Sequence, residues 1–346
     1  MRSKSGSVTS FDVARLAGVT QPTVSRAMRG LPSVSPATRD KVLAAARELR
    51  YLPSDSARAL STRSSKRVAV VSEELTNPYY PQLVEPLRAQ LDRQGYRTVL
   101  VTDAASSKVS LDGLADGSYD GVVLSTTRRR DTLPRDLSER GVPHVMLNRV
   151  LDHPQSASCA VDNEAGARQV VSLLLNLGHH DIASLQGPVD TSTGRERGAA
   201  VSAAMRAGGL RSQRALNRRV PFEHDAAFAA ACEVLTREPR PTAVVCGNDV
   251  IALGVLSAAR HLGLSVPDDL SVVGFDDIPM AGWPLVSLTT VRCDLALLAT
   301  TAVDLLIHAM TADPVEQAGQ SAEVPCIRLK PDMVLRGTHA PPNHSS

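Results

Sequence analysis

From residue 67 onward, short apolar runs alternate with longer amphipathic segments, and this alternation restricts the fold more than any other feature. Strand-like runs are Val68–Val71, Thr98–Val101, Gly121–Leu124, His144–Leu147, Ile182–Leu185, Ala243–Cys246 and Ser271–Phe275. Helical segments between them are, notably, Pro81–Gln94, Glu164–Leu177, Gly194–Ala207, Asp225–Arg237, Asp249–Leu262 and Asp294–Met310. Continuously apolar strands separated by helices are typical of parallel, doubly wound α/β sheets.

This region is too long for one such sheet and suits two lobes. Ligands of open α/β sheets bind at the carboxyl ends of the strands, so two facing lobes would form a cleft. Polar residues follow the predicted strands at Asn77, Asn148, Arg149, Asp162, Asn163, Asn248, Asp249, Asp276 and Asp277. Each of these Asn and Asp residues also suits an ordinary helix cap or turn, and that alternative stays open. Their recurrence at one edge, with Arg149 and Arg195 as fork-shaped donors, favours a site for a hydroxyl-rich ligand.

The first 67 residues differ in charge from the rest of the chain. They carry 13 Lys and Arg against 4 Asp and Glu, a net charge of +9. The remaining residues carry 25 against 32, a net charge of −7. A basic amino-terminal piece on an acidic body predicts a head that binds a polyanion.

Residues 8–30 predict two short helices joined by a tight turn. Thr9 suits the N-cap of the first helix, and Gly18 suits the positive φ at its end. Thr20 suits the cap of the second helix, which we expect to run to about Arg29. The apolar face of the first helix is predicted to contain Phe11, Val13, Ala14, Leu16 and Ala17. With a third helix that begins at Ser35 and Pro36, this pattern predicts a helix-turn-helix.

The second helix is expected to enter a DNA major groove, where its first residues meet base edges. Gln21 and Arg26 are candidate base readers, and Thr23, Ser25 and Arg29 are candidate phosphate contacts. A small helical bundle with solvated arginines is the alternative, and the charge of +9 argues against it.

A short fourth helix is predicted at residues 55–61, after Pro53 has ended the third. Its apolar residue Leu60 has nothing local to pack against. Leu60 either packs on the head or forms a wedge between base steps in the minor groove, which would kink the duplex.

The head resembles the LacI/GalR family of bacterial transcriptional regulators in the run TSFDVARLAGVTQPTVSRAMRG, followed by VSPATRDKVLAAARELRYLP and SARAL. The resemblance implies a homodimer on a near-palindromic operator in double-stranded DNA, with Leu60 inserted at the centre. Gln21 and Pro22 stand at the positions that set operator choice, and Ser54 stands where many members have Asn. The predicted DNA-binding residues are Thr9, Thr20, Gln21, Pro22, Thr23, Ser25, Arg26, Arg29, Ser54, Ala57, Arg58 and Leu60.

The body resembles the same family, and the periplasmic sugar-binding-protein fold that it shares, in TNPYY, VDNEAGA, LGHHDIA, NDVIALG, VPDDLSVVGFDD, LTTV and VLRGT. The resemblance implies a small polar effector, a sugar or a related metabolite, in the cleft. Arg195 is chosen for this site because it precedes Gly198 by three, and Asn148 stands where many members have Asp. The predicted effector-binding residues are Tyr79, Tyr80, Asn148, Arg195, Phe222, Asn248 and Asp276.

The same resemblance divides the chain into a head, a hinge and a core, with three crossings between the lobes near Val161, Arg292 and Val324. The expected parts are a helix-turn-helix domain at 1–53, a hinge helix and linker at 54–66, an effector-binding core at 67–340 and a disordered tail at 341–346. The expected lobes of the core are a first lobe of 67–161 plus 293–324 and a second lobe of 162–292 plus 325–340.

Composition and motifs narrow the function further. Uncharged apolar stretches reach about ten residues, whereas a membrane span needs about 20. No signal-peptide pattern is seen, the five cysteines form no C-x-x-C pair, and motifs of phosphate-binding loops, hydrolases and zinc proteases are missing. We therefore expect a cytoplasmic, ligand-responsive repressor without enzymatic activity, metal, cofactor or membrane partner. A solute-binding receptor without a DNA role, or an enzyme that uses the cleft, remains an alternative.

Overall fold

The computed structural model describes residues 8–51, 64–72, 75–102, 111–154, 156–210, 216–312 and 324–343. The chain divides into two compact units, Met1–Ser65 and Lys66–Ser346. The predictions for Ser54, Ala57, Arg58 and Leu60, and that for the tail at 344–346, lie outside the described residues.

Three helices form the described part of the first unit: α1 (Ser10–Ala17), α2 (Gln21–Met28) and α3 (Pro36–Glu48). Gly18 ends α1 at a φ of +66°, a conformation that costs other L residues strain. The helices share a core built around Val13, Val24 and Val42, with alanines filling the space between them. The predicted helical head with a helix-turn-helix is confirmed.

The apolar face predicted for α1 is wrong at two positions. Phe11 is 67% exposed and Leu16 is 46% exposed, whereas Val13 and Ala14 are buried. Residues on a helix are about 100° apart, so Phe11, two positions before Val13, lies on nearly the opposite side. The buried stripe of this short helix is therefore narrower than its apolar composition suggests.

The second unit alternates strands and helices along the chain, as predicted. Its elements are β1 (Arg67–Ser72), α4 (Tyr79–Arg93), β2 (Arg97–Thr102), α5 (Leu111–Ala115), β3 (Gly121–Thr126), α6 (Leu133–Glu139), β4 (His144–Arg149), β5 (Ser158–Val161), α7 (Asn163–Asn176), β6 (Ile182–Gln186), α8 (Ser192–Ala207), β7 (Asn217–Arg219), α9 (His224–Leu235), β8 (Ala243–Cys246), α10 (Asp249–His261), β9 (Ser271–Val273), a 3₁₀ turn (Pro279–Gly282), β10 (Thr290–Arg292), α11 (Leu295–Thr311), β11 (Cys326–Leu329) and β12 (Asp332–Val334). None of the helices in the described part of the chain is both long and apolar enough to cross a membrane.

Two parallel sheets define two lobes of this unit. The first lobe has the strand order β11-β5-β4-β3-β1-β2, and the second has the order β7-β6-β8-β9. Every pairing within the two sheets is parallel, and their inner strands are buried, which explains the continuous apolar runs in the sequence. Helix α11 packs on α4 and on strands of the first sheet. The predicted doubly wound α/β class is confirmed.

The third lobe crossing, predicted near Val324, is placed wrongly. Strand β11 (Cys326–Leu329) pairs in parallel with β5, so the chain is still in the first sheet at Leu329. Strand β12 (Asp332–Val334) then pairs antiparallel with β10. The chain therefore leaves the first sheet after Leu329, and the segment 326–329 belongs to the first lobe. As an edge strand with alternating exposure, β11 lacks the apolar run that marks the inner strands.

The N-caps of α2 and α3 differ in their side-chain hydrogen bonds, and matched substitutions can test what this difference contributes to stability. The Ser35 hydroxyl accepts a hydrogen bond from the Thr38 backbone N–H at 3.2 Å, whereas the Thr20 side chain makes no such cap bond. We expect Ser35→Ala to cost about 1 kcal/mol and to raise the hydrogen-exchange rates of the α3 amides about fivefold. Mass spectrometry of the full chain measures these rates. Thr20→Ala is the control, and an equal effect on α2 would contradict the capping assignment.

Candidate functional site

A pocket lies between the two lobes, where the carboxyl ends of their strands face each other. It encloses about 250 Å³ of space, a figure that includes the open solvent at its mouth. Its lining residues are Asn77, Tyr79, Tyr80, Asn148, Arg149, Thr193, Arg197, Phe222, Asn248 and Asp276. The first five come from the first lobe and the last five from the second lobe. A ligand in this pocket would therefore contact both lobes.

Arg197 organises the second-lobe side of the pocket. This side chain is 3% exposed, and its Nη2 is 2.9 Å from Oδ1 of Asp276. Its Nε donates to Asn163 Oδ1 and its Nη1 donates to the Gly247 carbonyl, both at 2.8 Å. The guanidinium also lies 3.6 Å from the ring centroid of Phe275. A buried cation is costly unless it is paired and hydrogen-bonded, and these contacts meet both needs.

Two carboxyl groups lie one behind the other at this end of the second sheet. Burial raises the pKa of Asp276, while the charge of Arg197 opposes the shift. Behind it, Asp249 accepts hydrogen bonds from the Thr290 hydroxyl and the Ile278 N–H. Burial raises the pKa of Asp249 well above its ordinary value, and the nearby Asp276 raises it further. Both shifts favour the neutral form of the carboxyl group.

The positions of these carboxyls depend on two unusual backbone features. A Cβ on Gly274 would lie 2.1 Å from Asp249 Oδ1, so a side chain at 274 would displace Asp249. Strand β9 ends at Val273, two residues earlier than predicted. Asp276 follows with a φ of 109°, and Asn148 across the pocket has a φ of 66°. Asn and Asp tolerate such conformations better than most residues, and their strain is typical of functional sites.

Aromatic residues form the apolar part of the pocket. The Arg149 guanidinium, on a side chain that is almost fully buried, lies 5.7 Å from the Tyr80 ring centroid and 5.5 Å from that of Phe222. This spacing is within reach of cation–π attraction. The ring of Phe222 packs so closely on Gly187 that a Cβ there would lie 2.1 Å from it. Aromatic walls with a few polar anchors are typical of small-molecule sites.

Six of the seven predicted effector-binding residues line this pocket, and Arg195 does not. Its guanidinium binds Asp152 and the Val189 carbonyl instead. Helix α8 places Arg197 at the pocket. Arg195, two residues earlier, lies about 200° away around the helix and therefore faces another direction. The spacing of buried residues along α8 identifies Arg197 as an inward-facing residue, because Thr193, Arg197 and Val201 follow one another at intervals of four and all three are buried. Asn77, Arg149, Thr193 and Arg197 line the pocket but were not among the predicted binding residues.

The second helix of the head has one packed side and one open side. Val24 and Ala27 are buried, whereas Thr20, Pro22, Arg26 and Arg29 are exposed. Gln21, Thr23 and Ser25 are half-buried. The amide of Gln21 donates to Ser10 Oγ at 3.3 Å, and the Thr20 and Thr23 hydroxyls are 2.9 Å apart. Arg29 donates from Nε to the Ser25 carbonyl at 3.3 Å.

The amino terminus of α1 is closed by Thr9. Its backbone N–H and its hydroxyl both donate to Asp12 Oδ2, at 3.0 and 2.8 Å. Thr9 and Thr20 thus stand at the beginnings of the first two helices. Helix amino termini attract anions, and at Thr9 the Asp12 carboxylate takes that place, whereas the first turn after Thr20 has no acidic residue.

Comparison with known proteins places both units in the same group. Residues 11–54 match the model for bacterial regulatory proteins of the lacI family, and residues 171–338 match that for a periplasmic binding protein-like domain. The HTH-type transcriptional regulator CelR of Thermobifida fusca is 36% identical over 313 residues, which are 88% of this chain and 92% of that protein.

Two solved structures resemble the whole chain. A complex of the transcriptional regulator CelR with cellobiose has a TM-score of 0.71 and 33% identity, and the match covers 96% of this chain and 99% of that one. The lac repressor dimer bound to operator and the anti-inducer ONPF has a TM-score of 0.83 and 28% identity, with 97% and 100% covered.

The buried ion pair gives a testable stability difference between neighbouring arginines. We expect Arg197→Met to destabilise the protein by about 3–5 kcal/mol, because Asp276 is left buried without its partner. Arg195→Met is the control and should cost at most about 1 kcal/mol, since its ion pair is partly exposed. Urea unfolding followed by the fluorescence of Trp283, the single tryptophan, measures both.

The pH dependence of the unfolding free energy should distinguish Arg197→Met from Arg195→Met. Without Arg197, the folded-state pKa of Asp276 rises further above its unfolded value. The stability deficit of Arg197→Met should therefore be smallest below about pH 3, where Asp276 is protonated in both states, and grow as the pH rises through about 4. Equal deficits for both arginine variants across this range would contradict the assigned role of Arg197.

Proposed function

The chain belongs to the LacI family of bacterial regulatory proteins, and we propose that it is a repressor that binds a near-palindromic operator as a homodimer. As a family member it is a DNA-binding, ligand-responsive transcriptional regulator. The observation that carries the proposal is a polar pocket between two lobes in a chain that also has a helix-turn-helix head. The operator-bound dimer of the lac repressor supports the assembly and the target.

The pocket is the proposed effector site. Tyr79, Tyr80, Asn148, Phe222, Asn248 and Asp276 keep the role expected from the sequence, and Arg197 takes the role assigned to Arg195. The CelR–cellobiose complex supports a small polar effector such as a sugar. We infer that the effector is bound and released without chemical change. We also place the protein in the cytoplasm, together with its DNA target.

In the head, α2 is the proposed reading helix. Gln21, Pro22 and Arg26 would face base edges, since they are near its amino terminus or on its open side. Thr23, Ser25 and Arg29 would contact phosphates, as would Thr9 and Thr20. The proposed parts of the chain are the head at 1–53, the hinge at 54–66 and the core from 67 to 340. Within the core, the segment 326–329 is assigned to the first lobe, as its strand pairing requires.

Binding of an effector in the pocket and binding of the operator would be coupled through the contacts that cross the cleft. Arg128 of the first lobe pairs with Asp190 of the second at 2.8 Å, and the Val150 N–H donates to Ser192 Oγ at 3.0 Å. A ligand that contacts Asn148 on one side and Asn248 on the other would favour this closed arrangement. If operator DNA favours another arrangement, ligand and DNA affinities are coupled.

Salt dependence tests the DNA-binding proposal. A palindromic site selected from a random duplex library is titrated with the full chain between 50 and 200 mM salt. For 6–10 phosphate contacts we expect affinity to fall about 10³–10⁵-fold. Arg29→Ala should reduce the salt slope by about one, whereas Gln21→Ala should change the preferred sequence and keep the slope. A flat salt response of the unaltered protein would refute DNA binding.

The minor-groove wedge proposed at Leu60 has its own test, although this residue lies outside the described part of the chain. Leu60→Ala should weaken binding to the selected site and reduce DNA bending, because an inserted apolar side chain unstacks and kinks the duplex. Circular-permutation gel mobility measures the bend, and thermal unfolding serves as the control for stability. Unchanged bending, or a large loss of stability, would favour packing of Leu60 on the head.

A further inference from the structure

Helix α8 belongs to the second lobe, but two of its residues form ion pairs with the first lobe. Arg195 binds Oδ1 of Asp152, in the loop after β4, through its Nη2. Glu196, the next residue, accepts from both Nη atoms of Arg328 on β11, at 3.0 and 3.1 Å. Because consecutive residues of a helix lie about 100° apart, the first lobe holds the amino-terminal part of α8 from two sides. We call these two ion pairs the clasp.

The two pairs of the clasp have opposite polarity. In one pair the first lobe supplies the anion, Asp152, and in the other it supplies the cation, Arg328. A shift that brought Arg195 to Arg328, or Glu196 to Asp152, would place like charges together. The charges therefore favour a single position of α8 against the first lobe.

Both carboxylates of the clasp are also oriented from within their own lobes. Oδ2 of Asp152 accepts from Nε of Arg129 at 3.0 Å. Oε2 of Glu196 accepts from Nδ2 of Asn163 at 2.7 Å, and Oδ1 of Asn163 accepts from Arg197 of the pocket. The four clasp side chains are only 21–34% exposed. Ion pairs that are fork-shaped, or that belong to a network, contribute more than isolated pairs on a surface.

Two backbone amides bond across the same cleft. The Arg129 N–H donates to the Asp190 carbonyl at 2.7 Å, and the Val150 N–H donates to Ser192 Oγ at 3.0 Å. In each bond the donor belongs to the first lobe and the acceptor to the second. Separation of the lobes breaks both bonds and opens the amides to solvent, so their hydrogen exchange measures how often the lobes open. We refer to the amides of Arg129 and Val150 as the reporter amides.

We propose that the clasp holds the two lobes closed while the pocket is empty, so that ionic strength determines how often they open. The inference goes beyond the proposed function, since it concerns the lobes without effector or DNA. Both pairs lie between the same two lobes and break together, so their effects on opening multiply. None of the four clasp residues lines the pocket. They are positioning residues, which act on a ligand through the arrangement of the lobes.

Residue-resolved hydrogen exchange of the full chain, without ligand or DNA, tests the clasp. Arg328→Met should raise the exchange rates of both reporter amides about fivefold, the factor expected for one partly exposed ion pair. Arg328 bonds Glu196 and the Val161 carbonyl, and neither group belongs to the reporter bonds. A response of the reporter amides therefore indicates that the lobes separate more often.

Arg168→Met is the matched control, because Arg168 pairs with Glu164 at 3.4 Å on one exposed helix within the second lobe. It should leave the reporter amides unchanged. The Thr242 N–H, which donates to the Asp181 carbonyl at 2.8 Å inside the second lobe, is the internal reference and should exchange at one rate in every variant. Unchanged reporter amides in Arg328→Met, or an equal rise at Thr242, would overturn the inference.

Ionic strength provides the second arm. Raising NaCl from about 50 to about 500 mM should speed exchange of the reporter amides in the unaltered protein, since salt screens partly exposed charges. The double variant Arg195→Met, Arg328→Met should begin about 25-fold faster and respond less. Its salt response is smaller, not zero, because the pair of Arg128 and Asp190 still crosses the cleft.

Equal salt responses of the unaltered protein and the double variant would refute an ionic origin of closure. These measurements use neither operator nor effector. Failure of the clasp therefore leaves the proposed function standing, and failure of DNA binding leaves the clasp standing.

Discussion

The buried pair of Arg197 and Asp276 holds together the second-lobe half of the pocket. One guanidinium bonds the carboxylate after β9, the Gly247 carbonyl after β8 and the Asn163 side chain at the start of α7. Three separate chain segments are thereby fixed relative to one another. A charge buried in this way is stable only with its hydrogen bonds complete, so the pair restricts every neighbour to a narrow range of positions. The pocket is preorganised for this reason, before any ligand is bound.

The other half of the pocket depends on Tyr79 in an analogous way. Its backbone N–H and its phenol orient Asn77 and Asn148, and its position in the first turn of α4 places both it and Tyr80 at the edge of the first sheet. The two halves thus differ in chemistry. The first lobe offers amide donors and Arg149, whereas the second offers the ion pair of Arg197 and Asp276. A ligand has to match both patterns to be held by both lobes.

The sequence predicts those parts of the structure that have strong local signals. Caps, positive-φ glycines and continuous apolar runs locate the head helices and most of the inner strands to within about two residues. The strands that were missed are short: Asn217–Arg219 and Cys326–Leu329 lie at sheet edges, where half-exposed side chains remove the apolar run, whereas Ser158–Val161 is buried inside the first sheet. The misplaced third crossing follows from the omission of Cys326–Leu329. Six of the predicted residues line the pocket, whereas Arg195 does not, because its spacing from Gly198 takes no account of the helical register. Arg197 follows from that register, since a residue four after the buried Thr193 faces the same way.

A ligand favours the closed arrangement of the lobes only through contacts that it loses when the lobes separate. The groups that line the pocket determine how many such contacts are needed. Moving a two-state equilibrium from 1:99 to 99:1 takes about 5.5 kcal/mol of differential binding. Neutral hydrogen bonds contribute about 0.5–1.5 kcal/mol each, and those to charged groups about 1.5–3 kcal/mol. Bonds between uncharged groups alone would have to number about five to supply this difference. Bonds from a ligand to the charged side chains that line the pocket, Arg149, Arg197 and Asp276, reach the same free energy with two or three. The charged lining residues therefore bear directly on how a small effector could move the whole equilibrium.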